Sequence, residues 1–466
     1  MLADAAKSRI AYNRHSPAQP PHFPASLMIT QDALAAHAAR RNALLAAMGE
    51  GIALIPTSPE AARNRDSLYP FRHDSYFYYL TGFAEPEAVL VLVAGKSPRS
   101  ILFCREKNLE REIWDGYRHG PEGARATFGF DESQPIAGLE AALPQLLSDQ
   151  PGIYTFVGAD PAWDARISAA LNGVRALART GVSAPSVVHD ARALLDAQRL
   201  LKDDQEVALM RRAGEISSLA HIRAMERTRP GQFEYQVEAE LLHEFVRFGA
   251  REQAYSAIVA SGANACVLHY RENNRKMADG DLLLIDAGCE FGSYASDITR
   301  TFPVNGKFTG PQKAVYELVL EAQQQCIDQV KPGKPFNAYH ETAVNVLAQG
   351  LIDLGLCTGS LAAVIETKAY AQFYMHRAGH WLGLDVHDAG DYRIGGSTGR
   401  WQTLAPGMVL TVEPGLYIRP AENVPAQFHN IGVRIEDDIL VTAAGNENLT
   451  AKTPKSVADV EAACRR

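Results

Sequence analysis

The sequence predicts a mixed α/β (α+β) protein of two units: an α/β unit at 28–198, then a unit at 199–450 built from two related halves. Three observations carry this. At 466 residues the chain is too long for one typical domain. Short β-branched runs alternate with Ala-rich helical patterns through the first unit. In the second unit, a Pro-Gly break followed by a helix, and a turn followed by an apolar strand and an acid, each occur twice.

Residues 1–27 are polar and Pro-rich, have no apolar core of signal-peptide length, and read as a loose tail. "DALAAHAARRNALLAAMG" (32–49) is a helical pattern. "GIALIPT" (51–57), "AVLVLV" (88–93), "SILFC" (100–104) and "GIYTFVG" (152–158) read as strands. The stretch 67–83, "SLYPFRHDSYFYYLTGF", is too rich in Tyr and Phe for a solvated loop and is expected to pack. A long helix then bridges the units. Leu209, Ala213, Ile216, Ala220 and Ala224 recur at helical spacing, Asp203 or Asp204 can cap its start, and Pro230-Gly231 ends it.

In the second unit, "TRPGQFEYQVEAELLHEFVRFG" (228–249) resembles "VKPGKPFNAYHETAVNVLAQG" (330–350). "DGDLLLIDAG" (279–288) resembles "APGMVLTVEPG" (405–415), and Asp286 and Glu413 each lie six residues beyond the turn glycine. A duplicated helix–strand half would bring these two acids together across a pseudo-twofold axis. Residues 451–466 read as a C-terminal tail.

Composition narrows the function. A net charge of −8 argues against a nucleic-acid partner. The longest apolar runs are strand length and do not suit a membrane. Six cysteines without a CxxC pair read as free thiols in a reducing, cytoplasmic compartment. The aromatic run and Trp114 supply more apolar surface than one small domain needs, which predicts a homo-oligomer.

The chemistry centres on acids beside strands. Asp297 follows Asp286 by eleven positions, and Glu436 follows Glu413. Several ionised carboxylates in one buried site repel unless cations neutralise them. In "HRAGHWLGLDVHD" (376–388), His376 and His380 are four apart, but Gly379 and Gly383 disfavour the helix that zinc proteases use at this spacing. Asp286, Asp297, Glu413 and Glu436, with His380 as the one nitrogen donor, form an oxygen-rich set suited to a pair of hard divalent ions such as Mn²⁺. His269 and His387 each follow an apolar run and are candidates to stabilise an oxyanion or hold the substrate peptide. His376 reads as support for the ligands, and Arg434 as a partner of the acids.

"VLHY", "LLIDAGCEFGSYASDITRTFPVNGKF", "HWLGLDVHD", "LTVEPGLYI" and "GVRIEDDILVT" together resemble the five metal-site segments of the pita-bread metallopeptidases, and among these the aminopeptidase P group of bacteria. The resemblance runs from about residue 28 through nearly the whole chain. It implies a creatinase-like N-terminal domain before a pita-bread catalytic domain. It also implies two Mn²⁺ on Asp286, Asp297, His380, Glu413 and Glu436, with Glu413 as proton acceptor and His269, His376 and His387 as accessory histidines. The implied reaction is hydrolysis of the bond between an N-terminal residue and a following proline in peptides. The implied assembly is a dimer or tetramer whose N-terminal domains help wall neighbouring sites. A prolidase restricted to Xaa-Pro dipeptides is the alternative; a non-catalytic peptide-binding module would not need all five ligand positions filled. Arg377 and residues 391–403 depart from the family pattern and bear on substrate preference.

Overall fold

The computed structural model describes residues 30–465, so the expected N-terminal tail lies outside the described residues. Thr30 opens the first helix, Gln31–Met48, by accepting from the Ala33 N–H, and Gly49 closes it at positive φ. Next comes a six-stranded mixed sheet in the order Glu132–Pro135, Arg99–Cys104, Val89–Ala94, Gly51–Pro56, Gly152–Thr155, Val187–Asp190. Gly51–Pro56 pairs antiparallel with Val89–Ala94 and parallel with Gly152–Thr155.

Alternation along the central strand serves two cores, as the pleat requires. Ile52 and Leu54 join one with Leu143, Trp163 and Ile167, from the helices Leu139–Leu147 and Pro161–Ala176. Ala53 and Ile55 join another with Phe77, Tyr79 and Phe83. That second core also takes Leu382, Leu384, Val409 and Leu440, so it lies where the first unit meets the second. The aromatic run therefore packs as expected from Phe77 to Phe83, although Leu68 and Tyr69 at its start are exposed.

The bridging helix is Asp204–Arg227; Asp203 caps it in a reciprocal box with Glu206. It packs on Glu234–Arg247, and Gly310–Gln329 packs in the same way on Ala338–Asp353. Each helix pair is followed by an antiparallel strand pair. Leu282–Asp286 pairs with Thr299–Pro303, and Val409–Val412 pairs with Asp437–Thr442. The duplicated turn–strand pattern thus becomes two related strand pairs.

The reading of 451–466 as a tail is corrected. Val457–Cys464 is a helix, capped by Ser456, with Val460, Ala463 and Cys464 in the main core. Thr453, Pro454 and Lys455 close over a buried ion pair between Arg300 and Asp437. Eight helical residues carry too little periodic signal to stand out in sequence; their burial is set by tertiary contact.

Candidate metal centre

The strand pairs place the acids. Asp286 ends its strand opposite Thr299, and Asp297 lies two residues before Thr299, so both acids occupy one end of the pair. Val412 lies opposite Asp437, which sets Glu413 beside Glu436 in the related pair. The Glu436 N–H donates to the Thr299 carbonyl (3.1 Å) and joins the two halves there. The "HRAGH" segment is not helical, as Gly379 and the nearby Gly383 predict. It runs alongside the Val409–Val412 strand, with Thr411 N–H donating to the His380 carbonyl (2.9 Å) and Glu413 N–H to the Ala378 carbonyl (2.9 Å). The approach is close enough that a Cβ on Gly379 would meet the Thr411 carbonyl oxygen at 2.0 Å.

All nine residues singled out in sequence line one cleft of about 1090 Å³. Donor atoms of Asp297, His380 and Glu436 lie within 4.8 Å of one another. His380 Nε2 is 3.4 Å from Asp297 Oδ2 and 3.6 Å from Glu413 Oε1. Its Nδ1–H donates to the Trp381 carbonyl (3.0 Å), which turns Nε2 toward the acids, the orientation a metal ligand needs. Asp286 is engaged by Arg434 Nη2 (2.6 Å) and by the Tyr255 hydroxyl (2.6 Å), which also reaches Asp297.

The charges are out of balance. Burial, then neighbouring carboxylates, raise Glu436 well above the ordinary carboxylate range, and burial followed by Asp286 raises Asp297. Burial pushes Glu413 up to about 7, against the pull of His380 and Arg434. Burial alone would lower His380, but Asp297 and Glu413 outweigh it and raise the imidazole to about 9. Four acids face one arginine and one histidine. Such a set holds protons until cations displace them, so the donor chemistry fits divalent ions.

The accessory residues differ in their ties. Burial lowers His376 to about 4. Its Nδ1–H donates to the Arg377 carbonyl (2.7 Å), Nε2 accepts from the Tyr417 hydroxyl (2.9 Å), and Nδ1 is 4.0 Å from Glu413. His387 packs edge-on against His380, with ring centroids 4.3 Å apart. His269 lines the cleft. Arg434 is buried, and it ties Asp286, Thr299 and the Tyr417 hydroxyl together. Sequence reasoning missed Tyr255, Thr299 and Tyr417. Thr299 donates to Glu436 (2.6 Å). It missed Asp438 too, whose buried carboxylate accepts from the Asp297 N–H (3.2 Å). Of these, Tyr417, four residues beyond Glu413, carried the nearest signal.

Residues 208–443 match the family model of metallopeptidase family M24, and residues 37–154 match that of the aminopeptidase P N-terminal domain. The chain belongs to metallopeptidase family M24. It is 46% identical to the Xaa-Pro aminopeptidase of Escherichia coli (strain K12) over 91% of this chain and 96% of that one. It superposes on Pseudomonas aeruginosa aminopeptidase PepP with a TM-score of 0.91 at 50% identity, covering 93% of this chain and 98% of that one. A zinc-substituted E. coli aminopeptidase P in complex with product matches with a TM-score of 0.90 at 46% identity, over 93% and 98% of the two chains. The likeness thus spans both units, and the M24 region contains the whole acid cluster.

Proposed function

We infer that this M24 enzyme is an Xaa-Pro aminopeptidase, removing the first residue from peptides with proline second. The observation that carries this is the excess of buried carboxylate around one histidine in the lining of the cleft, in a chain similar over 91% of its length to an Xaa-Pro aminopeptidase. Asp286, Asp297, His380, Glu413 and Glu436 would hold two divalent ions. The oxygen-rich set favours Mn²⁺. When bound, such ions lower the pKa of water and polarise an adjacent carbonyl.

The residues supply the rest. Glu413, a carboxylate lining the cleft beside Glu436, is suited to take the proton from the attacking water and pass it to the proline nitrogen as the bond breaks. His269 and His387, which line the cleft, would hydrogen-bond the developing oxyanion or the peptide. The carboxylate-rich floor attracts the substrate's free α-amine, which explains removal of a single residue. The proline nitrogen has no N–H in the intact bond, so the cleft need supply no acceptor for it, whereas any other residue there would bring a donor to be satisfied.

The six buried cysteines, all free, favour a reducing, cytoplasmic setting. Among the described residues no helix is long and apolar enough to cross a membrane. Exposed Ile113, Trp114 and Tyr117 on and just beyond the short helix Leu109–Asp115 favour a dimer or tetramer through the first unit.

The deciding experiment is turnover of Xaa-Pro dipeptides and Xaa-Pro-Yaa tripeptides with added Mn²⁺, alongside metal content. Tripeptides are expected to be cleaved after the first residue, with two ions per chain. Turnover of dipeptides alone would make it a prolidase. Full activity after complete chelation would overturn the metal reading.

A further inference from the structure

Behind the cleft, a buried charged cluster ties down the loop that carries His380 and His387. The Asp388 carboxylate accepts from Arg199 Nη2 (2.5 Å) and Lys202 Nζ (2.9 Å), and all three side chains are 1% exposed. Both cations lie in the segment joining the two units. Arg199 Nη2 also reaches Asp385 (2.8 Å), which accepts from Ser75 Oγ of the first unit (2.6 Å).

On the cleft side, the Asp388 N–H donates to the Trp381 carbonyl (3.0 Å). That carbonyl is also the acceptor for His380 Nδ1–H (3.0 Å). His387, adjacent to Asp388, packs on the His380 ring. The loop is tight: a Cβ on Gly383 would lie 2.2 Å from Asp388 Oδ2. One carbonyl therefore answers both to the buried ion cluster and to the histidine facing the acids.

We propose that Asp388, fixed by Arg199 and Lys202, is a positioning residue that sets the Trp381 carbonyl and, through it, the ring orientation of His380 and the placing of His387. The inference rests on the reading of His380 as a metal ligand. A buried ion pair is a poor source of stability by itself, because apolar residues of similar volume serve as well or better; what it supplies is one preferred arrangement. Here the arrangement specified is a loop carrying two cleft histidines. The partner of a ligating histidine's second ring nitrogen commonly changes metal affinity or activity 10–100-fold when disturbed. The contact from Ser75 to Asp385 extends the same device to the first unit, so the packing of the two units is felt at the cleft.

The test is Mn²⁺ titration calorimetry and the visible absorption spectrum of the Co²⁺-loaded protein, with kcat and KM measured alongside. Asp388→Asn is expected to weaken Mn²⁺ binding by about 10–100-fold and shift the Co²⁺ spectrum, with kcat falling and KM within about threefold. Wild-type Mn²⁺ affinity and an unchanged Co²⁺ spectrum in folded Asp388→Asn would overturn the proposal. If that variant does not fold, Lys202→Gln decides, since it leaves the Arg199–Asp388 pair in place. Weaker Mn²⁺ binding by several-fold with a shifted spectrum supports the proposal, and wild-type values overturn it. A wild-type protein that takes up no Mn²⁺ overturns the metal reading, and the positioning role with it; failure confined to the variants overturns the positioning role alone.

Discussion

Glu436 and Asp437 are neighbours in sequence, both buried, and pushed in opposite directions. Asp437 faces Arg300 Nη2 (2.6 Å), Lys455 Nζ (2.7 Å), Gln323 (2.8 Å), Asn448 (2.9 Å) and the Thr450 hydroxyl (3.0 Å). Burial would raise it, but Arg300 and Lys455 outweigh burial and hold it well below the ordinary carboxylate range. Glu436 shares its surroundings with Asp297, Glu413 and Asp286 and is raised well above that range. Successive residues of extended chain point to opposite faces, so Glu436 and Asp437, at the start of the strand Asp437–Thr442, serve different clusters from one backbone segment. The difference separates two uses of a buried acid. The Asp437 cluster is complete in protein groups and holds the C-terminal segment. The Glu436 cluster is short of positive charge and is complete only with cations from outside.

The sharpest test compares the neighbours directly. Asp437→Asn leaves Arg300 and Lys455 buried beside a neutral amide, and removing one partner of a buried pair costs about 3–5 kcal/mol. Glu436→Gln removes an acid whose charge is already disfavoured, so the ion-free protein should change by no more than about 1 kcal/mol, and in the stabilising direction if repulsion dominates. Metal content should reverse the order: Asp437→Asn that folds keeps its ions, whereas Glu436→Gln loses affinity. Denaturant unfolding in chelator, with metal analysis of each variant, checks both. Equal stability losses would erase the distinction between the clusters.

The next effect is on rate. Glu413 belongs to the cation-poor cluster and lines the cleft, where a carboxylate can act as a base as well as a ligand. Glu413→Gln keeps the shape but not the base, and kcat on an Xaa-Pro-Yaa peptide should fall by about 10²-fold or more. Near wild-type turnover in a variant holding two ions would place the base elsewhere.

The contrast also explains what sequence could reveal. The cation-poor acids were legible because each flanks an apolar strand, and Asp286 and Glu413 repeat at the same offset from a turn glycine. The Asp437 cluster was not. In "RIEDDILV" its acid looks like one of three, and its partners Arg300, Gln323 and Lys455 come from distant segments with no pattern of their own. Tyr255 and Thr299 were hidden for the same reason: a lone Tyr or Thr gains its role only from the register that sets strands and acids together. The helices and strands of the first unit were read from local pattern and the second unit from its internal repeat and its resembling segments; the C-terminal helix was misread because eight residues carry little periodicity.

The smallest effect concerns a group between the two clusters. His221, in the bridging helix, is fully buried, with Nε2–H donating to the Ala287 carbonyl (2.9 Å). Burial is the main cause that lowers it to about 4; its hydrogen bond to Ala287 opposes the shift, Arg300 adds to it, and Asp286 and Asp437 oppose it. The imidazole is thus kept neutral, a third way of burying a titratable group. Above pH 6.5 it is neutral folded or unfolded and contributes no pH dependence. As pH falls below 6.5, the unfolded chain takes up a proton that the folded protein refuses, and stability is lost until the folded group titrates near 4. For this single residue the loss is about 2 kcal/mol at pH 5, by linkage from the two pKa values. His221→Gln removes this component. The difference in unfolding free energy between variant and wild type should therefore shift by about that amount in the variant's favour between pH 7.5 and pH 5, with other histidines common to both. Denaturant unfolding at the two pH values measures it. A difference that stays constant across the range would mean that His221 titrates in the folded protein as it does in the unfolded chain, with its Ala287 hydrogen bond and the two acids cancelling burial and Arg300 together.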